Sequence, residues 1–174
     1  MNGVRDVSVR VASAEDFAGL AALEQAADAV FEQYGMWPLP QVGDAAGGEV
    51  FTGAAAVLVA GRPPVGFARL ELVGGVAHLE QLSVDPASAR RGVGTALVRA
   101  CCDWAVANRF GEVTLTTFAQ VPFNAPFYAR LGFTVIEDAA LPEPLAQLRR
   151  HEARIGLDAL GPRVAMRRVL AAGA

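Results

Sequence analysis

The chain is poor in cysteine, and its 174 residues include only the adjacent pair Cys101 and Cys102. Adjacent cysteines do not make the disulfide framework that holds small secreted domains together. They lie in a predicted helix with no histidine nearby in the sequence, so packing is favoured over a covalent acyl-cysteine role. The chain's two histidines, His78 and His151, have no metal-ligand spacing with the cysteines or with each other, and no metal is expected.

Long apolar runs and an excess of one charge sign are also missing. The longest apolar run, Ala54 to Ala60, is far shorter than the roughly 20 residues that cross a membrane. Residues 1–6 do not lead into the apolar core of an export signal. The 18 acidic and 15 basic side chains leave a net charge of -3, which gives no electrostatic reason to bind nucleic acid. We therefore expect a cytoplasmic protein with no membrane or nucleic-acid partner; monomer and homodimer both stay open.

The order of predicted elements indicates an α/β domain. Apolar residues make up 53% of the chain and charged residues 19%, a globular balance, and the length suits one domain over 1–174. Alternating and helical periodicities predict seven strands, at 7–11, 55–60, 65–73, 76–84, 113–118, 133–136 and 164–170. Helices are predicted after Ser13 and over 92–108, 124–131 and 142–155.

Turn signals then predict how these elements connect. Glycine and proline at 61–64 and 74–75 predict two hairpins, so three successive strands form an antiparallel meander. A strand–helix–strand crossover follows. The segment 31–53 has no clear period and predicts a functional loop or one more short helix. We predict a single domain with a mixed, mostly antiparallel central sheet and helices on both faces.

A glycine-rich loop joins the third strand of the meander to the following helix. Its sequence from residue 82 is Leu-Ser-Val-Asp-Pro-Ala-Ser-Ala-Arg-Arg-Gly-Val-Gly-Thr. A helix N-terminus presents unpaired N–H groups and partial positive charge, and glycines let a phosphate approach that backbone. An ATP-binding P-loop would need a Gly-Lys-Ser/Thr ending, which is absent. The Rossmann fingerprint fails too, because Gly92-Val93-Gly94 is followed by Ala96 and Leu97.

A second motif lies about thirty residues further on. The stretch Asn124-Ala125-Pro126-Phe127-Tyr128 is followed by Ala-Arg-Leu-Gly-Phe, ending at Phe133. Asn124 and Tyr128 are four residues apart, so a helix places both on one face. Asn124 suits a helix cap, and Pro126 is tolerated in a first turn.

Together these motifs resemble those of the GNAT family of acetyltransferases over roughly residues 80–133. The loop is similar to that family's coenzyme A loop, Gln/Arg-x-x-Gly-x-Gly/Ala, except that the leading position is Ala89; main-chain contact suffices there if Arg90 or Arg91 supplies charge. The resemblance implies an acyl-CoA-dependent N-acyltransferase with acetyl-CoA as donor. The donor-binding residues that it implies are Leu82, Ser83, Val84, Ala89, Arg90, Arg91, Gly92, Val93, Gly94, Thr95, Asn124 and Phe127.

The resemblance also implies catalytic roles for two residues. Tyr128 would lie near the thioester sulfur, and a neutral phenol with an ordinary pKa of about 10 can protonate the departing thiolate. Glu80 is the best candidate for the base that takes a proton from the amine, because related enzymes often carry an acidic residue on this strand. Glu80 and Gln81 are expected on opposite faces of the strand, and either face can meet the cleft. A water chain is the alternative to Glu80.

The sequence indicates less about the acceptor substrate than about the acyl donor. We expect a primary amine of a small molecule or peptide that attacks directly in a ternary complex. Glu24, Asp28, Glu32, Tyr34 and Trp37 are candidates for an acceptor pocket, and acidic groups there would suit a cationic amine. The insertion 141–162 is a candidate cover for the cleft. Three alternatives stay open: a larger acyl donor, an acyl-CoA-binding module without turnover, and an interaction protein with an incidental loop.

Overall fold

The computed structural model describes residues 7–40 and 49–171. Its strands are β1 (Val9–Val11), β2 (Ala56–Ala60), β3 (Gly66–Val73), β4 (Val76–Val84), β5 (Glu112–Phe118), β6 (Thr134–Ile136) and β7 (Arg163–Val169). The α-helices are α1 (Ala14–Asp28), α2 (Glu49–Thr52), α3 (Val93–Ala107), α4 (Ala125–Arg130), α5 (Glu143–Arg154) and α6 (Leu157–Leu160). Short 3-10 helices cover Ala29–Tyr34, Pro86–Ser88 and Asp138–Ala140.

The described strands form one seven-stranded sheet in the order β1-β2-β3-β4-β5-β7-β6. Neighbouring strands run antiparallel except β4 and β5, which are parallel. Parallel neighbours need a crossover connection, and α3 supplies it. The sheet is therefore two antiparallel groups of strands joined at a single parallel pair.

Alternation along the strands gives the sheet two apolar faces, and each is covered. On β2, Leu58 and Ala60 belong to the larger core, which includes Leu97 of α3. The intervening Val57 and Val59 belong to a second core with Leu20 of α1. Helices therefore pack on both faces of the sheet, and the face that carries α1 is called the α1 face below.

Close packing between α3 and the sheet depends on one glycine. A Cβ added to Gly66 on β3 would lie 2.9 Å from Cγ1 of Val93 and 3.2 Å from Cδ1 of Leu97. Only a residue without a side chain lets the helix approach β3 so closely. The N-terminus of α3 is thereby held near the ends of β3 and β4.

The predicted fold class is confirmed: the sheet is mixed and mostly antiparallel, with helices on both faces. Within the predicted irregular segment 31–53, the end of a 3-10 helix and α2 appear, and residues 41–48 lie outside the described residues. Among residues 7–40 and 49–171, no helix is long and apolar enough to cross a membrane.

Candidate active site

The parallel strands β4 and β5 separate along their length. Their ladder contains only the pairs Ala77–Val113 and His78–Thr114, although β4 continues to Val84. Beyond these two pairs, within strands that are fully described, the edges of β4 and β5 face a gap. A cavity of about 1180 Å³ opens there.

The cavity runs from the glycine-rich loop across the α1 face of the sheet. One end is bounded by the loop and the first turn of α3, and α4 lines the middle. The other end, called the acceptor end below after the expected acceptor pocket, lies between α1 with its 3-10 extension and the helices α5 and α6. The cavity is thus elongated, with a loop suited to binding phosphate at one end and polar side chains from several elements at the other.

The glycine-rich loop has the backbone of an anion cradle. Arg90 and Gly92 both have left-handed φ angles, 61° and 82°, and α3 begins directly afterwards at Val93. A Cβ added to Gly92 would meet nothing within 4 Å, so the space over this backbone is open to a ligand. The first N–H groups of α3 have no carbonyl partner within their own helix and suit a phosphate.

Most of the predicted donor-binding residues line this cavity. They are Leu82, Val84, Ala89, Arg90, Gly92, Val93, Gly94, Thr95, Asn124 and Phe127. Two predicted residues lie outside the wall. Ser83 is buried, and its hydroxyl accepts a hydrogen bond from Nε2 of Gln81 at 2.9 Å. Arg91 is exposed and does not line the cavity, so Arg90 is the loop arginine that faces the ligand space.

Helix α4 brings Asn124 and Tyr128 to the cavity wall, as the four-residue spacing predicts. Asn124 occupies the N-cap position, but its side chain makes no capping hydrogen bond. The expectation of a side-chain cap is therefore wrong, and the amide is left for a ligand. Tyr128 is only 7% exposed, and its ring packs edge-on against Phe127 and Phe133. Burial, with a smaller contribution from Cys101, raises the pKa of the phenol and keeps it protonated.

A β-bulge decides which way Glu80 points. Leu70 pairs with Leu79 while Arg69 pairs with Gln81, so Glu80 is an extra residue in β4. Glu80 and Gln81 both line the cavity, and the expectation that they point to opposite faces is wrong. Burial is the main cause that raises the pKa of Glu80, and Arg69 acts in the opposite direction. A carboxylate with a raised pKa is a stronger base than an ordinary one.

Acidic side chains of α1 face the same space. Glu24 and Asp28 both line the cavity, together with Arg69 of β3. Burial raises the pKa of Asp28 to about 6, and the nearby Glu24 adds to this. Burial likewise raises the pKa of Glu24, against the effect of Arg69. Glu24, Asp28 and Glu80 therefore share this end of the cavity with Arg69 of β3.

The insertion 141–162 supplies the remaining wall. Glu152 of α5 is 3% exposed and accepts hydrogen bonds from Arg149 at 2.5 Å, Arg163 at 3.2 Å and Thr116 at 2.5 Å. The guanidinium of Arg163 also lies 4.6 Å from the centre of the Phe118 ring. This buried network ties α5 to β5 and β7, so the expected covering role of the insertion corresponds to a wall of the acceptor end.

Aromatic side chains form the rim of the acceptor end. The Phe31 ring lies 5.7 Å from that of Phe118 and 5.1 Å from that of Phe123. The Tyr34 ring lies 5.6 Å from Phe123, and both of these residues are partly exposed. All four line the cavity, so the carboxyl groups of α1 stand beside an apolar rim.

The sequence profile of the Acetyltransferase (GNAT) family matches residues 18–133. This range is about two thirds of the chain and contains both sequence motifs. The chain belongs to the GNAT family. The expected class of enzyme, an acyl-CoA-dependent N-acyltransferase, is confirmed at the level of the family.

Solved structures of GNAT proteins share the fold. N-acetylglutamate synthase from Neisseria gonorrhoeae, complexed with coenzyme A and N-acetyl-glutamate, matches with a TM-score of 0.70 and 20% identity over 95% of this chain and 35% of that chain. Rv2747 from Mycobacterium tuberculosis, in complex with CoA and NLQ, matches at 0.64 and 22% identity over 94% and 99%. The ribosomal-protein-S18-alanine N-acetyltransferase from Escherichia coli matches at 0.60 and 16% identity over 95% and 96%.

These likenesses establish the GNAT fold for this chain, and the identities are too low to transfer a substrate. The chain spans about a third of the N-acetylglutamate synthase chain, 35% of its length. It spans nearly the full length of the other two proteins. The substrate of this GNAT domain has to be inferred from the side chains of its own cavity.

Several cavity residues of this GNAT domain were not predicted from the sequence. Arg69, two residues before Glu71 on β3, is half-buried and lines the cavity. Arg163 and Glu152 lie in elements far along the chain from both motifs. The one signal in the sequence is the charged run at residues 149–152, within the predicted helix 142–155.

Proposed function

We propose that the chain transfers an acetyl group from acetyl-CoA to a primary amine of a small molecule or peptide, by direct attack in a ternary complex. The observation that carries this proposal is the elongated cavity at the β4–β5 gap, with an open anion cradle at Gly92 and a protonated Tyr128 along its wall. The coenzyme A in two of the structural relatives supports the same donor. We include the whole of 1–174 in one domain, because β7 and α5 complete the sheet and the cavity wall.

Each group of cavity residues would have its own role in acetyl transfer. The loop and the first turn of α3 hold the pyrophosphate, and Asn124 bonds the pantetheine arm in the gap. The amine nitrogen attacks the thioester carbonyl, and the C–S bond breaks once the C–N bond has formed. Glu80 takes the proton that the nitrogen loses, while Tyr128 gives a proton to the leaving sulfur.

The cysteines support direct transfer over an acyl-enzyme. Cys101 and Cys102 are both buried in α3. Burial raises the pKa of both thiols, so neither is a thiolate near neutral pH. Because the thiolate is the nucleophilic form, neither cysteine suits acyl transfer.

The donor proposal is tested by calorimetric titration of the protein with acetyl-CoA, with desulfo-CoA and ATP as comparisons. We expect micromolar binding of acetyl-CoA, and we expect Gly92→Asp to weaken it at least 100-fold, because a carboxylate would occupy the phosphate cradle. Gly75→Asp is the matched control: Gly75 also has a left-handed φ, 79°, and open space around it, but it lies in the β3–β4 turn. Equal binding by both variants, or no binding by a folded wild-type protein, would contradict the donor site.

The assignment of Glu80 is tested by the pH–rate profile. The base must be ionised, so activity falls as the pH drops through the raised pKa of Glu80. Glu80→Gln is expected to lower kcat by about 100-fold or more and to remove this acid limb. Glu71→Gln is the control: Glu71 does not line the cavity, and because its charge adds to the raised pKa of Glu80, this variant should shift the acid limb to lower pH without removing it. An unchanged profile in Glu80→Gln would leave the base to a water chain.

The nature of the acceptor is tested with a panel of amines. The carboxyl groups of Glu24 and Asp28 would stabilise an amine that carries a second positive charge, and Tyr34 and Phe123 offer it apolar contact. The panel should compare diamines, neutral aryl-alkylamines, amino acids and peptide N-termini at equal concentration. The same panel run with longer acyl-CoAs separates acetyl transfer from transfer of a larger group. A protein that binds acetyl-CoA tightly and turns over none of these amines would be a binding module.

A further inference from the structure

His78 lies beneath Glu80 on the α1 face of β4 and is fully buried. Its Nδ1 is 2.8 Å from Oγ1 of Thr114 on β5. Its Nε2 is buried without a hydrogen-bond partner, and the carboxylate Oε2 of Glu80 lies 3.5 Å away. A buried polar atom without a partner is rare and costly, so the orphaned Nε2 calls for an explanation.

The contacts of Thr114 bear on which nitrogen of His78 carries the proton. The Thr114 hydroxyl donates to the carbonyl oxygen of Ala77 at 3.4 Å. A hydroxyl has one hydrogen, so when Thr114 donates to Ala77, the same oxygen accepts from Nδ1 of His78, and this is the tautomer that the proposal below requires. This assignment leaves a lone pair on Nε2. Nε2 and an ionised Glu80 are then both acceptors and cannot bond, whereas a protonated Glu80 can donate to Nε2.

We propose that His78 is a positioning residue for the base: its Nε2 accepts the hydrogen bond of protonated Glu80 and so stabilises the proton taken from the acceptor amine. This inference rests on the proposed function. In the step, an N–H bond of the attacking amine breaks, its electron pair stays on nitrogen, and the proton moves to Oε2 of Glu80. The new O–H then points to Nε2, while His78 keeps its own proton on Nδ1 towards Thr114.

The surrounding charges act on both members of this pair. Glu80 is affected by Arg69 and Glu71 on β3, Glu152 on α5 and Arg163 on β7, whereas His78 is affected by Glu152. Burial lowers the pKa of His78 to about 4 against the opposing effect of Glu152, so the imidazole is neutral at physiological pH. A neutral imidazole retains the lone pair that the proposed hydrogen bond requires.

The tautomer is tested without any activity measurement. The chain has two histidines, so ¹⁵N-labelled His151→Gln protein contains His78 as its single imidazole. Long-range ¹H–¹⁵N spectra at pH 7 are expected to show a protonated Nδ1 and an unprotonated Nε2. A proton on Nε2 at this pH would overturn the proposal, since that nitrogen would then be a donor to the Glu80 carboxylate.

The effect on the base is tested with two variants that each keep one half of the imidazole's polarity. His78→Asn places an amide near the position of Nδ1 and removes Nε2, whereas His78→Gln reaches towards the position of Nε2. His78→Asn is expected to move the acid limb of the pH–rate profile down by about one pH unit and to lower kcat about 10-fold, because the protonated form of Glu80 loses its acceptor. His78→Gln is expected to restore part of both.

A purely structural histidine would give a different pattern. Both variants would then lose stability and the acid limb would stay where it is in the wild type, which would overturn the proposal. The proposed function and the role of His78 can fail separately. If the wild-type protein binds no acetyl-CoA, the proposed function is wrong whatever the tautomer of His78; if it turns over an amine and His78→Asn leaves the acid limb unmoved, only the role of His78 is wrong.

Discussion

Replacing Tyr128 by phenylalanine is expected to lower kcat by about 10²- to 10⁴-fold while the affinity for acetyl-CoA stays nearly unchanged. This is the usual range for the loss of a positioned general acid. The phenol is held protonated by burial, so it can donate to the sulfur as the thiolate leaves. Phenylalanine keeps the ring that packs against Phe127 and Phe133, so the pocket should keep its shape. Steady-state kinetics and calorimetry on the same preparation separate turnover from binding.

The matched control for this experiment is Tyr34→Phe. The chain contains only these two tyrosines, and both line the cavity. Tyr34 stands at the rim and is 46% exposed, so the loss of its hydroxyl should change kcat little. Turnover by Tyr128→Phe that matched the wild type would remove Tyr128 as the acid. A wild-type protein that bound acetyl-CoA but turned over no amine would instead support the non-catalytic binding module.

Replacing Glu152 by alanine is expected to destabilise the fold by about 3–5 kcal/mol, the usual cost of removing one partner of a buried ion pair. The substitution strips the counter-charge from Arg163, which is 8% exposed, and removes one of two acidic partners from Arg149. The Thr116 hydroxyl loses its acceptor as well. Urea unfolding followed by circular dichroism gives the free energy of unfolding directly.

Glu143→Ala on the same helix is the control for this stability measurement. Glu143 pairs with Arg150 at 2.7 Å, but the two side chains are 67% and 57% exposed. An exposed pair contributes little, so this variant should unfold close to the wild type. Similar small losses in both variants would show that the Glu152 network does not hold α5 to the sheet.

The fold was largely predictable because the hydrophobic pattern and the turn residues act locally. The Gly74-Gly75 turn and the alternation on either side of it define a hairpin within about twenty residues. The glycine-rich loop was predictable for the same reason, since Gly92 and the helix start at Val93 are adjacent in the chain. Such features can be predicted from residues that are close together in the chain.

The acceptor end was less predictable because it depends on register and on distant parts of the chain. Strand alternation places Glu80 and Gln81 on opposite faces, and only the bulge opposite Arg69 puts both on one face. Bulges arise from the pairing of two strands, which one strand's sequence does not encode. Arg163 and Glu152 enter the site only when β7 inserts beside β5. No local pattern marks that insertion, which brings the last strand beside the centre of the sheet.

The short parallel ladder divides the sheet mechanically. Two rungs join the four strands β1–β4 to the three strands β5–β7, and α3 packs across the boundary against β3 and β5. Relative movement of these halves therefore strains side-chain contacts with α3 more than backbone hydrogen bonds. We therefore expect the distance between β4 and β5 beyond these two pairs to change more easily than the distance between other neighbouring strands. A chain-like ligand that bonds both strand edges would act as extra rungs, and amide hydrogen exchange along both edges would slow when it binds.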